Sequence, residues 1–306
     1  MAINKFMMAV LKALSYADDN IKENYKFHRT FHNIIHPPFK GPYLFWEHNI
    51  ARIDYELPVR TFPPAEMRSE EIILFFHGGG WVTGNTDSYA KTCADLATQT
   101  GRYVYSLEYR LAPEHRFPCA LEDCYAVAKE LHLSRERVVL MGDSAGGNLA
   151  AAVSLLAAER GEFRVNKQIL LYPLTYHDHT SNSPFLSVTK YGTNYLLTSK
   201  KICDYMDLYA PDEKDRTSPY LAPLLSENLY GQPETLIVTA EYDPLRDEGE
   251  AYGEKLRRFG NSVSIVRIKD ALHGFFSLPI RFAHVRLCYG VINAFLDGEN
   301  IGDKTI

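Results

Sequence analysis

Short runs of apolar residues alternate with longer, helix-patterned segments from about residue 70 onward. The runs are rich in Val, Ile and Leu and lack polar alternation, which favours strands buried on both faces of a parallel sheet. These candidate strands are 71–76, 103–107, 138–141, 168–172, 235–239 and 263–268. The helical candidates lie near 87–100, 118–132, 145–160, 199–209, 246–259 and 281–297. Strands that alternate with helices predict an α/β fold.

Three segments lie outside this alternation. Residues 45–53 and 54–60 precede the first buried run and predict an antiparallel pair of strands. Residues 1–42 and about 175–218 are rich in Tyr, Phe, His and Pro. We expect both of these segments to lie over the sheet as a cap.

Composition and charge favour a globular enzyme over a nucleic-acid-binding or membrane protein. The chain has 306 residues, 46% hydrophobic and 23% charged, with a net charge of −5. This balance is typical of a globular enzyme and gives no reason to expect nucleic acid or an anionic membrane as a partner. No apolar run approaches the roughly 20 residues of a membrane span. Lys12 interrupts the N-terminal apolar run, and Phe6, Val10, Ala13 and Ala17 fit an amphipathic helix better than a signal peptide.

The cysteines favour a cytoplasmic protein. There are five of them, an odd number, and no two form a C-x-x-C pair. A disulfide framework or a structural zinc site has a different spacing. We therefore interpret them as scattered reduced thiols that pack as small apolar side chains.

Chemically active side chains follow four of the candidate strands. In an open α/β sheet, ligands bind beyond the carboxyl ends of the strands. A glycine-rich stretch, HGGG, follows the first run at 77–80, and GDSAG follows another at 142–146. Asp243 and His273 follow the last two runs. A serine, an aspartate and a histidine thus occupy three strand ends in that order.

The serine has the sequence context of an activated nucleophile. The pattern G-x-S-x-G around Ser144 is typical of a tight strand-to-helix turn that exposes the hydroxyl. A serine hydroxyl needs an adjacent base, and His273 can supply it. Asp243 would hold the imidazole in the required tautomer and stabilise its charged form. These residue types predict acyl transfer.

The glycine stretch predicts an oxyanion hole. Without Cβ atoms, the backbone of Gly78, Gly79 and Gly80 can approach a substrate carbonyl and present N–H groups to it. The N–H group of Ala145, directly after the serine, would complete the hole. A phosphate-binding interpretation fails, because neither stretch has the full pattern of a dinucleotide fingerprint or a P-loop.

Five motifs in this chain resemble the hormone-sensitive-lipase-like branch of the α/β-hydrolases. They are HGGGW at 77–81, YRLAPE at 109–114, GDSAGGN at 142–148, DPLRDEG at 243–249 and HGF at 273–275. The resemblance extends over about residues 70–295. It implies an eight-stranded, mostly parallel sheet flanked by helices, with a helical cap. Residues 1–42 would be an N-terminal cap segment, and 43–306 an α/β-hydrolase domain with a second cap insertion near 175–218.

The resemblance also implies roles for individual residues. Ser144 would be the nucleophile, Asp243 the acid and His273 the base. Gly79, Gly80 and Ala145 would be the main oxyanion donors, with Gly78 shaping the turn.

Two histidine patterns suggest a metal site at first sight. His28, His32 and His36 recur every four residues, and 177–179 reads HDH. No acidic or cysteine ligand is interleaved with the first pattern, which lies among aromatic residues, so we expect both patterns to serve packing. Asp247 and Glu248 resemble a pair of catalytic carboxylates, but we interpret them as first-turn residues of the helix after Asp243, favoured by its dipole.

The sequence therefore predicts a serine carboxylesterase that hydrolyses short-chain acyl esters through an acyl-enzyme intermediate, without cofactor or metal. Its partner would be a small-molecule ester, and the sequence is compatible with a homodimer. Both cap segments mix aromatic with charged residues, and bulky side chains at Phe39, Trp46, Trp81 and Tyr195 could wall off a closed pocket. An amidase or peptidase with the same triad remains an alternative. So does a non-catalytic ligand receptor on a hydrolase scaffold.

Overall fold

A nine-stranded sheet forms the centre of the computed structural model, which describes residues 8, 11, 12, 15, 20–35, 44–134 and 137–306. The strands are β1 (Trp46–Ala51), β2 (Glu56–Phe62), β3 (Ile72–Phe76), β4 (Tyr103–Leu107), β5 (Val138–Asp143), β6 (Lys167–Leu171), β7 (Glu234–Tyr242), β8 (Val263–Leu272) and β9 (Lys304–Thr305). Their order across the sheet is β1-β2-β4-β3-β5-β6-β7-β8-β9. Only β2 runs against its neighbours, β1 and β4; every other pair is parallel.

Helices cover both faces of this sheet. They are α1 (Ile21–Ile35), α2 (Ala90–Thr100), α3 (Cys119–Ser134), α4 (Ala145–Arg160), α5 (Leu186–Tyr191), α6 (Ser199–Tyr209), α7 (Glu213–Arg216), α8 (Arg246–Arg258) and α9 (Ala283–Leu296). Short 3₁₀ turns lie at Pro223–Leu225 and Phe275–Ser277. Among these helices, none has the length and apolar character needed to cross a lipid bilayer.

The two faces of the sheet carry separate hydrophobic cores. Successive residues of β3 point to opposite faces, so Ile72 and Leu74 join the core that includes α3, α4 and α8, whereas Ile73 and Phe75 join the core that includes α2 and α9. All five residues of β3 are buried. This double burial explains why the strand is a continuous apolar run without polar alternation.

The α/β fold and its mostly parallel sheet are confirmed. The six buried runs overlap β3 to β8, and the antiparallel pair before them overlaps β1 and β2. The implied number of eight strands is too low for the described chain, because β9 adds a two-residue strand beside β8. The helices α1, α5, α6 and α7 lie in the two segments that we expected to form a cap. Several expectations fall outside the described residues, namely those on Phe6, Val10, Ala13, Ala17, His36 and Phe39.

Candidate active site

Ser144 lies at the turn between β5 and α4. Its φ of 55° and ψ of −119° are strained values for a residue with a side chain. The turn is also crowded: a Cβ at Gly146 would lie 2.0 Å from the carbonyl oxygen of Phe76, so only glycine fits there. The backbone N–H of Ser144 donates to the Leu171 carbonyl at 2.9 Å and fixes the turn to β6. The hydroxyl is thereby presented at the carboxyl edge of the sheet.

A chain of two hydrogen bonds connects three side chains. Asp243 follows β7 and His273 follows β8, and His273 Nδ1 lies 2.8 Å from Asp243 Oδ2. His273 Nε2 lies 2.9 Å from Ser144 Oγ. With the carboxylate as acceptor, Nδ1 donates and leaves Nε2 free to accept from the serine hydroxyl. This geometry has the nucleophile–base and base–orienter contacts that acyl transfer requires.

The loop after β3 turns back sharply beside Ser144. Gly79 has a φ of 114°, and a Cβ there would lie 2.2 Å from the carbonyl oxygen of Thr83. The carbonyl of Gly79 accepts from the N–H groups of Val82 at 3.1 Å and Thr83 at 2.9 Å. These bonds close a tight turn at the edge of the cavity that Ser144 lines.

Gly78 differs from the other residues predicted for the oxyanion hole. Its N–H donates to Asp143 Oδ1 at 2.8 Å, in a buried position. That N–H is therefore committed to the protein, which fits the turn-shaping role and does not fit a role as oxyanion donor. Asp143 also accepts from the Tyr89 hydroxyl at 3.1 Å. We attribute to Asp143 the bracing of the HGGG loop against the serine turn.

His77 begins the HGGG stretch but lies away from the reacting groups. Its ring is completely buried and stacks on Tyr109, with 4.1 Å between ring centroids. The Tyr109 hydroxyl donates to the His77 carbonyl at 2.7 Å. Burial lowers the pKa of His77, so the ring stays neutral and acts in packing.

A cavity of about 200 Å³ opens directly onto these groups. Its polar lining includes Ser144, His273, Gly79, Gly80 and Ala145. The predicted nucleophile, base and oxyanion donors therefore face one space.

Much of the rest of the cavity wall is apolar, and part of it comes from α6 and the residues before it. Leu197 precedes α6, and Ile202 and Tyr205 lie on it. The Tyr205 ring packs against the HGGG loop, since a Cβ at Gly80 would lie 2.4 Å from its Cγ. The wall excludes water from the reacting groups on this side.

Only one of the described bulky residues expected in the wall is found there. Trp81 lines the cavity and stacks on Tyr209 of α6, with 4.6 Å between centroids. Trp46 instead lies on the edge strand β1, more than half exposed, beside Tyr103. Tyr195 stacks on Tyr242 outside the cavity lining. The sequence could not say which of these residues reach the pocket, because that depends on chain packing that no local pattern encodes.

The acidic pair after Asp243 lies in the first turn of α8, as predicted. Glu248 has a further role that the sequence did not reveal. It is fully buried and accepts from the N–H of Thr175 at 2.7 Å and from His179 Nε2 at 2.7 Å. This contact holds the start of the second cap segment onto α8. It also gives His179 a hydrogen-bond partner, so that the position of this side chain requires no metal.

The other histidine pattern is only partly described. His28 is buried on α1, whereas the side chain of His32 and all of His36 lie outside the described residues. Within the described part of the chain, no group of three or more His, Cys, Asp or Glu side chains is arranged to hold a metal ion.

The chain is similar to known ester hydrolases along most of its length. A family model described as alpha/beta hydrolase fold matches residues 73–277. An arylesterase of Saccharolobus solfataricus is 35% identical over 247 residues, which cover 78% of this chain and 79% of that protein. An ethyl acetate hydrolase of Pseudomonas putida is 34% identical, with 74% of this chain and 73% of that protein covered.

The structural similarity extends to nearly the whole chain. The hyperthermophilic esterase of Pyrobaculum calidifontis superposes with a TM-score of 0.82 at 30% identity, covering 96% of this chain and 97% of that one. Fold, motif order and sequence identity thus agree. The chain belongs to the hormone-sensitive-lipase-like family of the α/β-hydrolases, and it is a carboxylic ester hydrolase.

Proposed function

We propose that the protein is a serine carboxylesterase in which Ser144, His273 and Asp243 form the catalytic triad. The observation that carries this proposal is the unbroken hydrogen-bond chain from Asp243 through His273 to Ser144, of which His273 and Ser144 line the cavity. An amidase or peptidase would use the same three side chains, so its test is part of the experiment below.

The reaction proceeds in two halves. Ser144 Oγ attacks the ester carbonyl carbon while His273 Nε2 takes the hydroxyl proton, and Asp243 stabilises the resulting imidazolium. The carbonyl oxygen becomes an oxyanion that accepts from the N–H groups of Gly79, Gly80 and Ala145. The bond to the alcohol oxygen then breaks, and His273 gives the proton to the departing alcohol.

Water completes the cycle. It attacks the acyl group on Ser144 while His273 again takes a proton, and a second oxyanion forms in the same hole. Collapse of this intermediate breaks the bond to Ser144 Oγ, which regains its proton from His273. The products are one alcohol and one carboxylic acid.

The shape of the cavity favours short acyl groups. Each buried methylene contributes about 0.8 kcal/mol, but only while it fits. The first few carbons of an acyl chain fit a cavity of about 200 Å³ that is bounded by Ile202 and the Tyr205 ring. Further carbons would clash with this wall. We therefore propose acetyl to butyryl esters as preferred substrates over chains of about ten carbons or more.

A series of 4-nitrophenyl esters from about two to sixteen carbons tests this preference through kcat/KM, the quantity that a burial gain would raise. We expect the maximum at about four carbons or fewer, and a shift to longer chains in Tyr205→Ala. Tyr195→Ala is the matched control, because Tyr195 lies in the same segment but outside the cavity lining. A maximum at ten carbons or more in the wild type would contradict the short-chain proposal. Faster turnover of the matched 4-nitroanilides than of the esters would favour the amidase.

The domain division is also a proposal. We propose that residues 1–42 and about 175–218 form a cap on the α/β-hydrolase domain of residues 43–306. It is supported by the ion pair between Lys22 of α1 and Asp207 of α6 at 2.8 Å, and by the cavity wall that α6 supplies. The cytoplasmic location and the homodimer stay predictions from the sequence.

A further inference from the structure

One arginine of the N-terminal helix is bonded to the backbone next to the predicted oxyanion hole. Arg29 of α1 donates from Nε to the Val82 carbonyl at 2.6 Å and from Nη2 to the Ala112 carbonyl at 2.6 Å. Val82 is three residues beyond Gly79 and donates its own N–H to the Gly79 carbonyl. Ala112 donates its N–H to the Trp81 carbonyl at 2.9 Å. Arg29 thus closes a backbone network that includes the HGGG loop.

A carboxylate fixes the orientation of the guanidinium group. Glu114 accepts from Arg29 Nη1 at 3.0 Å and from Nη2 at 2.8 Å, and the guanidinium lies over the Tyr25 ring. The Arg29 side chain is only 26% exposed. These four hydrogen bonds to three groups use the rigid fork that distinguishes arginine from lysine.

The loop needs such support. Gly79, Gly80 and Trp81 all have positive φ values of 114°, 61° and 60°, and Trp81 has a side chain that disfavours this conformation. Residues in such conformations keep them only when their surroundings fix the backbone. Oxyanion donors act well only when they are held in position before the reaction.

We propose that Arg29 is a positioning residue for the oxyanion hole, through which the N-terminal helix sets the geometry of the HGGG loop. This inference rests on the proposed function, because it assigns the donors of Gly79 and Gly80 to the transition state. Arg29 itself does not touch the substrate. It acts through the carbonyls of Val82 and Ala112.

The test distinguishes a loss of transition-state stabilisation from a loss of substrate binding. Misplacing catalytic groups by about 1 Å costs on the order of 100-fold in rate, so we expect Arg29→Ala to lower kcat by roughly 10- to 100-fold with KM changed less than about twofold. A trifluoromethyl ketone tests the same point: Ser144 Oγ adds to its carbonyl, the proton moves to His273, and the oxyanion occupies the hole. The affinity of Arg29→Ala for this ketone should fall by about the same factor as kcat/KM.

Three further variants identify which contact of Arg29 accounts for the loss of kcat. Arg29→Lys keeps the charge but not the fork, so we expect only partial recovery of kcat. Glu114→Gln keeps the bonds from Arg29 to the two carbonyls and should retain most of the activity. Lys22→Ala is the matched control, because it removes the contact of the same helix with Asp207 but no contact with the HGGG loop, and its kcat should equal that of the wild type.

The outcomes are distinguishable. A wild-type kcat in Arg29→Ala, or an equal loss in Lys22→Ala, would overturn the inference. If Arg29→Ala does not fold, Arg29→Lys decides: a lowered kcat at unchanged KM supports the inference, and a wild-type kcat overturns it. Full activity in Ser144→Ala would instead reject the proposed function. For the variants that keep Ser144, rates are divided by the fraction of molecules that titrate with a fluorophosphonate, so that misfolded protein does not count; for Ser144→Ala, circular dichroism verifies folding.

Discussion

Asp243 is fully buried and uses its two carboxylate oxygens for two different donors. Oδ2 faces His273 Nδ1 at 2.8 Å, and Oδ1 accepts from the Leu245 N–H at 2.9 Å. The second bond holds the carboxylate in one orientation, so the first can define the imidazole tautomer. Asp247, four residues later, instead accepts from the N–H of Ser187 at 2.8 Å. Each of the two aspartates therefore has its own partners.

Because the two aspartates have different partners, replacing each by asparagine should lower kcat by a different amount. Asp243→Asn should leave the fold intact but favour the wrong tautomer of His273, with a loss on the order of 10⁴ in kcat. Asp247→Asn is the control and should cost far less. Steady-state kinetics on a short aryl ester, with circular dichroism to verify folding, measures both. The reverse ranking would mean that Asp243 is not the orienting acid.

The carboxyl group of Asp143, next to Ser144, makes the stability of the fold depend on pH. Burial raises the pKa of Asp143 to about 6, although hydrogen bonds from Tyr89 and Gly78 act in the opposite direction. In the unfolded chain, the pKa of aspartate is about 3.9. The folded protein therefore binds the proton more tightly than the unfolded chain, and this group makes the free energy of unfolding fall as pH rises from about 4 to 6.

Asp143→Asn should remove that fall, because the amide is neutral and still offers an acceptor to Gly78. We expect the free energy of unfolding of the variant, relative to wild type, to rise by on the order of 3 kcal/mol between about pH 4 and pH 7. Urea unfolding at several pH values measures the difference, in which the carboxylates common to both proteins cancel. A difference that does not change with pH would show that Asp143 has an ordinary pKa.

At the scale of elements, local patterns located the strands and the longer helices. The helices α4 and α6 begin and end where the sequence predicted them. In α4 the signal is a run of Ala and Leu, both strong helix formers, that begins directly after the serine. The strand β9 was missed because two residues at an edge leave no pattern. The residues of the proposed triad and the HGGG loop could be located because each directly follows a strand.

Contacts that depend on tertiary packing could not be found in this way. Glu248 and His179 are 69 residues apart and meet only because the start of the second cap segment packs on α8. Arg29 and Ala112 are 83 residues apart. Nothing in the sequence around Arg29 or Glu248 distinguishes these side chains from exposed charged residues, which are far more common. Local sequence patterns therefore predict the candidate reacting groups but not the residues that hold them in place.

At the scale of the whole molecule, the parallel sheet brings the site together. Ser144 and His273 are 129 residues apart, but each lies at the carboxyl end of a strand, and these ends meet at one edge of the sheet. The HGGG loop follows β3, which pairs with β5, so donor loop and serine are neighbours by strand order. The helices α1 and α6 then close this edge and supply contacts to the loop.

The central claim is that Ser144 is the nucleophile of an ester hydrolase, and covalent labelling tests it most directly. The protein is treated with a fluorophosphonate probe and digested, and the adduct is located by peptide mass spectrometry, in parallel with Ser144→Ala. We predict one adduct per chain, on Ser144, and loss of both labelling and ester hydrolysis in the variant, with kcat lowered on the order of 10⁶-fold. An adduct on another residue, or hydrolysis by Ser144→Ala at more than a few percent of the wild-type rate, would contradict the account.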